Sequence, residues 1–475
     1  WDDDPAWVDK FRTTLKRLRA TFTPHIKSNL DEPVTLGNLG LGTVRSLEAY
    51  ERFSGLNFAG RTVASYARHF PFVYTSDSDL ERKDVSISPT AHLFFLEEEA
   101  VVFSEEGSIL SSLNTAATYV WCALKENLNQ EEIIQGLTRI CEIDPGSAKR
   151  QYQSLLSHFD GLGFLSQPAS DHLIESESTD EPEQRRVSKG IERAWYRKRS
   201  YRLFGSCFLI CFSTDEAENW GHAPLAHLEL NEHCNPDFVI RLINTDVGYA
   251  LYVDDVWIIE VDHINKIIPQ LKFSLMRSAI HNYDYSLHLH AGAISNGKLG
   301  LILPGQKGSG KTTLVSSLLA RGYSYLSDEV VLLDRGDCAV RPFPISLCVK
   351  SPGVELLSSI YPELVNLPVY QREDGEAVRY LLPPASARSE NIKTPIRYMV
   401  FPRYRADAKT ALYPIKRVDA LKRLLDDCQS IPKPLTLDDV RDIIEWLKTV
   451  ECYELPHSDL EQASGCLEGL LSLDA

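Results

Sequence analysis

The stretch from residue 299 to residue 322 constrains the fold most, because it joins an apolar run, a glycine-rich loop and a helical pattern. The loop reads GQKGSGKT over residues 305–312 and fits G-x-x-x-x-G-K-[ST] at every fixed position. The apolar run Leu299–Leu303 predicts a strand before the loop. TTLVSSLLARG predicts a helix after the loop, ending at Gly322. A strand, this loop and a helix in that order form a phosphate-binding unit of an α/β fold.

Such a loop predicts how a nucleotide is held. Its glycines let backbone N–H groups converge on phosphate oxygens, while Lys311 reaches the outer phosphates and the Thr312 hydroxyl can bind Mg²⁺. We therefore expect a nucleoside triphosphate, taken as ATP, together with Mg²⁺. The residues expected to contact the nucleotide are those of the loop and the one after it: Gly305, Gln306, Lys307, Gly308, Ser309, Gly310, Lys311, Thr312 and Thr313.

The strand that leads into the loop is predicted to be half of an antiparallel hairpin. HLHAGAISNGKLGLILPG contains Asn296-Gly297, a strong signal for a two-residue turn. With that turn, His290 lies opposite Leu303 at the phosphate end of the sheet, and His288 shares its face. An isolated histidine would be a core or surface residue, but one beside phosphates can handle a proton. We therefore expect His290 to have a functional role.

The chain then returns to the loop after the helix. About 11 residues at 1.5 Å of rise carry it ~16 Å away. The run Tyr323–Ser327 brings it back by about the same distance at ~3.3 Å per residue. Asp328 and Glu329 therefore emerge near the phosphates, where a carboxylate can bind the metal ion or accept a proton from a hydroxyl nucleophile. We predict that Thr312, Asp328 and Glu329 bind the metal; a solvated carboxylate pair at a strand end is the alternative.

Lys311, Thr312, His290 and Asp328 thus converge, and they are the parts needed for phosphoryl transfer to a hydroxyl group. The motifs LHAGAI, GQKGSGKTTL, ARGYSYLSDEVVLL, PFPISLCVK and YMVFPRYR occur in this order. On these motifs, residues 195 to 475 resemble the HPr kinase/phosphorylase-related kinases. The resemblance implies a phosphoenolpyruvate-carboxykinase-like P-loop fold, transfer of the γ-phosphate to a serine, and a homo-oligomer.

The resemblance also implies roles for single residues. His290 matches the catalytic histidine of that family, and Asp328 matches the base that acts on the serine. Glu329 stands where a second Asp is usual, which leaves its metal role open. The E-[IV]-R-G-x-G signature of the family is absent from the sequence, so HPr as substrate and the reverse phosphorolysis are not implied. Arg403 in FPRYR is a candidate anion contact, with a structural role as the alternative, and Lys350 is a weaker candidate.

Residues 86 to 167 have a different pattern. HLFFLEEEAVVFSEEGSILSSLN predicts three short strands separated by acidic or Glu-Gly turns. Three helices are predicted to follow, at about Thr115–Asn127, Gln130–Cys141 and Pro145–Phe159. Three small strands and three helices form a winged-helix-like module, a kind of fold that usually binds a partner and catalyses nothing.

This module resembles the PqqD-like peptide-chaperone family, which supplies the leader-recognition element of many peptide-modifying systems. The resemblance covers about 80 residues and depends on NTAATYVWCAL, EEIIQGL and YQSLLSHFDGLGFL. The matching residues are Asn114, Ala117, Trp121, Ile134, Leu155 and Gly161-Leu162-Gly163. It implies that an extended peptide adds as a strand beside SILSSLN, with its side chains against the last helix. An ordinary winged-helix packing module is the alternative.

An acidic stretch separates the two parts of this 475-residue chain, whose length suits two or three domains. Residues 171 to 183, DHLIESESTDEPE, include six acids and no Lys or Arg, and predict a solvated linker at 169–192. We therefore expect an N-terminal extension at 1–85, a peptide-binding module at 86–168 and a kinase domain at 193–475. The extension is predicted to be mainly helical, with a helix near Pro5–Ala20. Its LGNLGLGTV reads G-x-x-G-x-G and predicts a loop, not a dinucleotide site.

Two further patterns favour structural roles. The basic, aromatic run RAWYRKRSYR could bind single-stranded nucleic acid, but after the linker it is better interpreted as an edge strand with solvated charges. The last 65 residues predict packing helices in DALKRLLDDC, VRDIIEWLKTV and DLEQASGCLEGLL, each with one apolar face. His457 lies among them without a predicted partner and is interpreted as structural.

Composition limits the partners of the protein. Acidic residues outnumber basic ones 66 to 50, for a net charge of −16, which makes the chain a poor general binder of nucleic acid or anionic lipid. No apolar run approaches a membrane span. The ten cysteines are scattered without a CxxC pair or zinc spacing, and are expected to be reduced and buried. We expect a cytoplasmic protein with neither nucleic acid nor membrane as a partner.

Together the motifs predict an ATP-dependent kinase with its own peptide-recognition module. The module would capture a peptide or small protein, and the kinase domain would phosphorylate a Ser or Thr hydroxyl on it. By resemblance, the acceptor is a ribosomally made precursor peptide. Two alternatives stay open: a non-catalytic scaffold that binds ATP for a partner modifying enzyme, and a kinase for a small metabolite that the module regulates.

Overall fold

A computed structural model describes residues 34–38, 85–96, 99–106, 109–166, 195–232, 234–281, 283–388, 393–426, 428–431 and 433–473. In these ranges the chain is a mixed α/β protein with several sheets. None of the helices in them is long and apolar enough to cross a membrane. The helix predicted near Pro5–Ala20 and the whole of the predicted linker at 169–192 lie outside the described residues.

The N-terminal module has one antiparallel sheet and three helices. Its strands are β1 Val34–Asn38, β2 Ala91–Leu96, β3 Glu99–Ser104 and β4 Ile109–Leu113, in the spatial order β1-β4-β3-β2. The helices that follow are α1 Thr115–Lys125, α2 Gln130–Cys141 and α3 Pro145–Gly161. The three predicted runs of strand and the three predicted helices of this module are confirmed.

Each of the three helices begins at a polar residue that the sequence places there. The Asn114 side chain accepts a hydrogen bond from the Ala117 N–H at 2.8 Å at the start of α1. Asn129 and Glu132 form a reciprocal capping box at the start of α2. Asp144 caps α3, whose first residue is a proline. These caps satisfy N–H groups that have no partner within the helix, so local sequence fixes where each helix starts.

The outer edge of β4 is already occupied by the same chain. β1 pairs antiparallel with β4, with Val34 opposite Ser112 and Asn38 opposite Ile109. Residues 36–38 belong to this strand, so the expectation of a loop there is wrong. A peptide that adds as a strand beside SILSSLN therefore has to take the place of residues 34–38.

The second part of the chain begins with a five-stranded sheet and two helices. The strands are β5 Arg197–Leu203, β6 Ser206–Phe212, β7 Phe238–Asn244, β8 Tyr249–Val253 and β9 Val256–Val261, paired in that order. The helices are α4 Asp215–His222 and α5 Ile264–Ile280. β5 lies at one end of the sheet, which confirms that RAWYRKRSYR supplies an edge strand.

Two of the ten cysteines are not free thiols. Cys207 on β6 and Cys234 form a disulfide, with their Cα atoms 6.6 Å apart. The expectation that all the cysteines are reduced is therefore wrong for this pair, because the fold brings together two residues that are 27 positions apart in the sequence.

The remaining elements form three sheets and five helices among the described residues. The strands are β10 Tyr285–Leu289, β11 Ala291–Ser295, β12 Gly300–Pro304, β13 Ser324–Ser327, β14 Val331–Asp334, β15 Leu347–Lys350, β16 Tyr370–Gln371, β17 Ala377–Leu381, β18 Ile396–Tyr404, β19 Tyr413–Pro414, β20 Cys428–Ser430 and β21 Glu451–His457. The helices are α6 Lys311–Ala320, α7 Ser351–Leu357, α8 Arg417–Asp426, α9 Leu437–Thr449 and α10 Leu460–Ser472. The spatial orders are β13-β11-β12-β18-β21-β19, β14-β10-β20 and β15-β17-β16.

In the six-stranded sheet, β12, β18 and β21 are parallel neighbours, whereas β11 and β13 run antiparallel to the strands beside them. The apolar sides of α6 and α10 pack on one face of this sheet. The apolar sides of α8 and α9 pack on the other face, so the last three predicted helices are confirmed as packing helices.

The sheet of the N-terminal module packs directly on this second layer of helices. One face of β2, β3 and β4 shares a buried apolar core with α8 and α9, and Lys416 pairs with Glu99 at 2.5 Å. The module contributes Phe94, Leu96, Val101, Phe103 and Leu110 to this shared core. The other face of the sheet covers the module's own helices, where Trp121 meets Phe159 edge-on at 5.7 Å. The shared core joins the two parts of the chain.

Candidate functional site

The glycine-rich loop lies between β12 and α6, as predicted. Gly305, Gly308 and Gly310 have φ angles of +154°, +86° and +97°, in the region that favours glycine. The Lys311 side chain is buried and folds back over the loop. Its ammonium group donates to the Gly305 carbonyl oxygen and, at 3.1 Å, to that of Gln306. The loop thus curves around the ammonium group of its own lysine.

The other loop residues also have defined positions. The Ser309 N–H donates to the Gln306 carbonyl at 3.2 Å, and the Ser309 hydroxyl is buried without a hydrogen-bond partner among the described residues. The Thr313 hydroxyl faces Gly353 at the start of α7, where a Cβ atom would lie 3.5 Å from it. Thr312 lies beside Asp328.

The hairpin before the loop has a different register from the predicted one. Ser295 pairs with Gly300, whereas a two-residue turn at Asn296-Gly297 would have paired it with Lys298. The Asn296 side-chain oxygen accepts a hydrogen bond from the Lys298 N–H at 3.0 Å. This local bond moves the tip of the hairpin one residue along the chain, and therefore shifts every pairing by two residues.

The shift brings His290 still closer to the loop, because its neighbour Ala291 pairs with Pro304. Burial, together with the nearby Lys311 ammonium, lowers the pKa of His290 to about 4. The Glu329 carboxylate and a hydrogen bond to the Glu329 backbone carbonyl act in the opposite direction. His290 is therefore a neutral imidazole near pH 7, with one ring nitrogen donating to that carbonyl.

His288 does not belong to the same strand as the hairpin. It lies on β10, in a different sheet, and its Nδ1 is 3.2 Å from the Ser430 hydroxyl. Burial lowers its pKa to about 3. The expectation that His288 shares the face of His290 assumed one continuous strand, whereas the chain changes sheet at residue 290.

Asp328 follows β13 and is buried, with 1% of its surface exposed. Its Oδ2 accepts a hydrogen bond from the Cys348 N–H at 3.3 Å, and its Oδ1 has no hydrogen-bond partner among the described residues. Burial and the neighbouring Glu329 raise the pKa of Asp328 to about 6, against the opposing effects of Lys272 and the Thr312 hydroxyl. Asp328 thus presents a carboxylate oxygen to the last residue of the loop.

Glu329 is held by a buried lysine that the sequence analysis missed. Lys272 on α5 pairs with the Glu329 carboxylate at 2.6 Å, and its ammonium group lies 4.8 Å from the centre of the Tyr380 ring. Burial would raise the pKa of Glu329, but Lys272, His290 and Arg372 together hold it below its usual value. Glu329 is therefore ionised and paired, which leaves Asp328 as the carboxylate with a free oxygen.

We predict that Asp328→Asn stabilises the protein in the absence of nucleotide and metal. The folded-state pKa of about 6 lies above that of an unfolded Asp. The folded state therefore holds this proton more tightly, and ionisation destabilises folding as pH rises from about 4 to about 6. We expect the substitution to raise the free energy of unfolding by about 2 kcal/mol at pH 8 and to leave it unchanged at pH 4. Denaturant unfolding at both pH values measures this, and equal effects at both would contradict it.

A short acidic turn also reaches the loop. This turn, residues 372–376 between β16 and β17, is called the acidic tip. Lys307 of the loop pairs with Asp374 at 2.8 Å and with Glu376 at 3.5 Å, and Lys350 lies 3.8 Å from Glu376. Arg372 of the tip acts electrostatically on Glu329 and hydrogen-bonds Cys348. The acidic tip therefore neutralises cations that a phosphate group at the loop would also attract. No motif in the sequence predicted that this segment would reach the loop.

Arg403 does not reach the loop in this structure. Its side chain is 57% exposed and pairs with Glu454 at 3.4 Å. Along β18, Phe401 packs in the core with α8 and α9, whereas Val400 packs with α6. Side chains alternate along a strand, so Arg403 lies on the face opposite α6.

His457, interpreted from the sequence as structural, instead contacts the loop. It is buried at the carboxyl end of β21, and its Nε2 donates to the Ser309 carbonyl at 3.2 Å. A Cβ atom at Gly310 would come within 3.0 Å of the ring, so this glycine makes room for it. Only the parallel pairing of β18 and β21 brings His457 to the loop, and one histidine in a helical region gives no signal for that.

These residues suit a magnesium–nucleotide complex. Among the described residues, no three His, Cys, Asp or Glu side chains gather into a metal cage of their own. Mg²⁺ in nucleotide sites needs only one or two protein oxygens besides the phosphates and water. The Thr312 hydroxyl and the unpartnered oxygen of Asp328 could supply them, whereas the Glu329 carboxylate is paired with Lys272. A scan of protein-family models and a search of curated proteins each returned no match to this chain.

Proposed function

We propose that this chain is an ATP-dependent kinase that transfers the γ-phosphate to a Ser or Thr hydroxyl of a captured peptide. The observation that carries the proposal is Asp328, a buried carboxylate with an unpartnered oxygen beside Thr312 of the glycine-rich loop. Burying a carboxylate with one oxygen unpaired is costly, and such groups concentrate at sites that use them.

The chemistry assigns a role to each group. The acceptor oxygen forms a bond to the γ-phosphorus as the bond from that phosphorus to the bridging oxygen of ADP breaks. Asp328 accepts the hydroxyl proton. Lys311 and the loop N–H groups hold the phosphates, and bound Mg²⁺ supplies further neutralisation of their charge. His290, neutral and tied to the Glu329 backbone, can take up or return a proton through its second ring nitrogen.

The module at 86–168 also has a role in the proposed function. We propose that it is PqqD-like, that residues 193–475 are an HPr-kinase-like P-loop domain, and that the acceptor is a precursor peptide. A module of three strands and three helices docked on the catalytic part supports this assignment. A peptide held on the module would be present at the kinase site at a high effective concentration.

Because β1 occupies the edge of β4, weakening β1 tests whether a peptide binds at that edge. Proline at position 35 removes a backbone N–H from β1 and weakens its pairing, so an acceptor peptide should bind more tightly. If the paired state accounts for about nine-tenths of the molecules, the gain is about tenfold. Thr35→Val, which keeps the N–H, is the matched control. Binding of a fluorescent candidate acceptor measures both; unchanged or weaker binding to Thr35→Pro would show that the peptide does not use this edge.

Intact-mass analysis tests the proposed function as a whole. Candidate peptides are incubated with the protein, ATP and Mg²⁺, and the gain of one phosphate on a Ser or Thr is the expected result. A protein that binds ATP but adds no phosphate to any peptide would refute the proposal in favour of a scaffold or a small-molecule kinase.

A further inference from the structure

The carboxyl ends of β12, β18 and β21 lie side by side at one edge of the six-stranded sheet. The glycine-rich loop leaves β12, Tyr404 ends β18, and His457 ends β21 directly opposite Tyr404. In α/β sheets, ligands bind outside the carboxyl ends of parallel strands. Tyr404 and His457 therefore lie where a ligand of the loop can extend.

The Tyr404 ring contacts His457, and His457 in turn contacts the backbone of the loop. His457 donates to the Ser309 carbonyl at 3.2 Å, and the Tyr404 ring meets the His457 ring edge-on, with 5.8 Å between their centres. Tyr404 is 53% exposed, so the rest of its ring is accessible to a ligand. Tyr404 follows the alternation of Tyr398 and Val400, which pack with α6, so it lies on the same face of the sheet as that helix.

The order of the strands indicates on which side of β12 the nucleoside would lie. The reacting groups His290 and Asp328 follow β10 and β13, on the β11–β13 side of β12, whereas β18 and β21 lie on its other side. If the outer phosphate points to Asp328, as the proposed function requires, the nucleoside extends toward β18 and β21. We propose that Tyr404, supported by His457, forms the seat on which the nucleobase stacks.

Binding of ATP and of inorganic tripolyphosphate, which has no base, tests this seat. Tyr404→Ala should weaken ATP binding about tenfold, the size of one lost base–aromatic stack, and leave tripolyphosphate binding unchanged. Tyr404→Phe should bind ATP like the wild type. The matched control is Tyr413→Ala: Tyr413 is 49% exposed on β19 of the same sheet, opposite Glu454 and not at the end of β21.

Other outcomes separate this inference from the kinase proposal. If Tyr404→Ala loses affinity equally for both ligands, or loses none for ATP, Tyr404 is not the residue on which the base stacks. Wild-type protein that binds ATP no more tightly than tripolyphosphate would also overturn the base seat while leaving the phosphate loop in place. Base-dependent binding that Tyr404→Ala removes supports the seat even if no peptide is phosphorylated, a result that would count against the kinase proposal alone.

Discussion

Asp328→Asn should lower the rate of phosphoryl transfer by about 10²–10⁴-fold, the usual contribution of a positioned general base. Asn has nearly the same shape as Asp, so the Cys348 N–H keeps an acceptor and the loop keeps its neighbour. An amide cannot take the proton of the acceptor hydroxyl near neutral pH. Single-turnover phosphate transfer to an acceptor peptide measures the rate. ATP binding measured without Mg²⁺ should stay within about threefold of wild type, because Lys311 and the loop N–H groups are unchanged.

Two controls make this result specific. Asp334→Asn removes another buried carboxylate, one that pairs with Lys393 at 2.7 Å and accepts a hydrogen bond from the Tyr283 hydroxyl at 2.5 Å. It should weaken folding but leave the transfer rate of the folded protein near wild type. Lys311→Ala should instead weaken ATP binding itself. Transfer by Asp328→Asn at the wild-type rate would exclude Asp328 as the base. A variant that binds ATP, transfers no phosphate and keeps its biological activity would instead favour a scaffold.

Local connectivity explains which parts of the site could be predicted from the sequence. The loop, its flanking strand and helix, and Asp328 follow one another within 30 residues, so helix and strand dimensions fix where they meet. His290 lies beside the loop, as predicted, even though the predicted register was wrong by two residues. Its closeness to the loop depends on the hairpin as a whole, whereas the register depends on one side chain, Asn296, bonding to the turn.

The missed residues come from distant elements that carry no motif. Lys272 lies in an amphipathic helix 57 residues before Glu329, and His457 lies 148 residues after Ser309. Lys272 reaches Glu329, and His457 reaches the loop, only because α5 and β21 pack where they do. Predicting them required the order of strands in the sheet, which periodicity within one segment does not reveal.

One signal of the domain arrangement was present in the sequence. Strand β3 contains the unbroken apolar run Ala100–Phe103, and all four residues are buried. A strand with one solvated face alternates polar and apolar residues, so an unbroken apolar run predicts that both faces of the strand are buried. The helices α8 and α9, which lie more than 300 residues after β3 in the sequence, bury its second face.

A chain beginning at residue 193 should therefore aggregate or melt far below the full-length protein. Removing the module uncovers the apolar sides of α8 and α9, which include Val418, Leu421, Ile443 and Trp446. Each such side chain contributes about 1.5–3 kcal/mol when buried, and the whole stability of an ordinary domain is only about 5–15 kcal/mol. Size-exclusion chromatography and thermal melting measure the outcome. A monomeric fragment with an unchanged melting temperature would contradict a shared core.

Truncation alone consequently cannot distinguish a peptide kinase from a metabolite kinase, because either would lose activity with its fold. A matched pair on β3 separates docking from folding of the module. Phe103 packs in the shared core and Val102 in the module's own core, and both are fully buried. Phe103→Ala should raise amide hydrogen exchange in α9, whereas Val102→Ala should raise it in α1 and leave α9 protected. Equal effects of the two substitutions on α9 would mean that the module and the helices unfold as one unit.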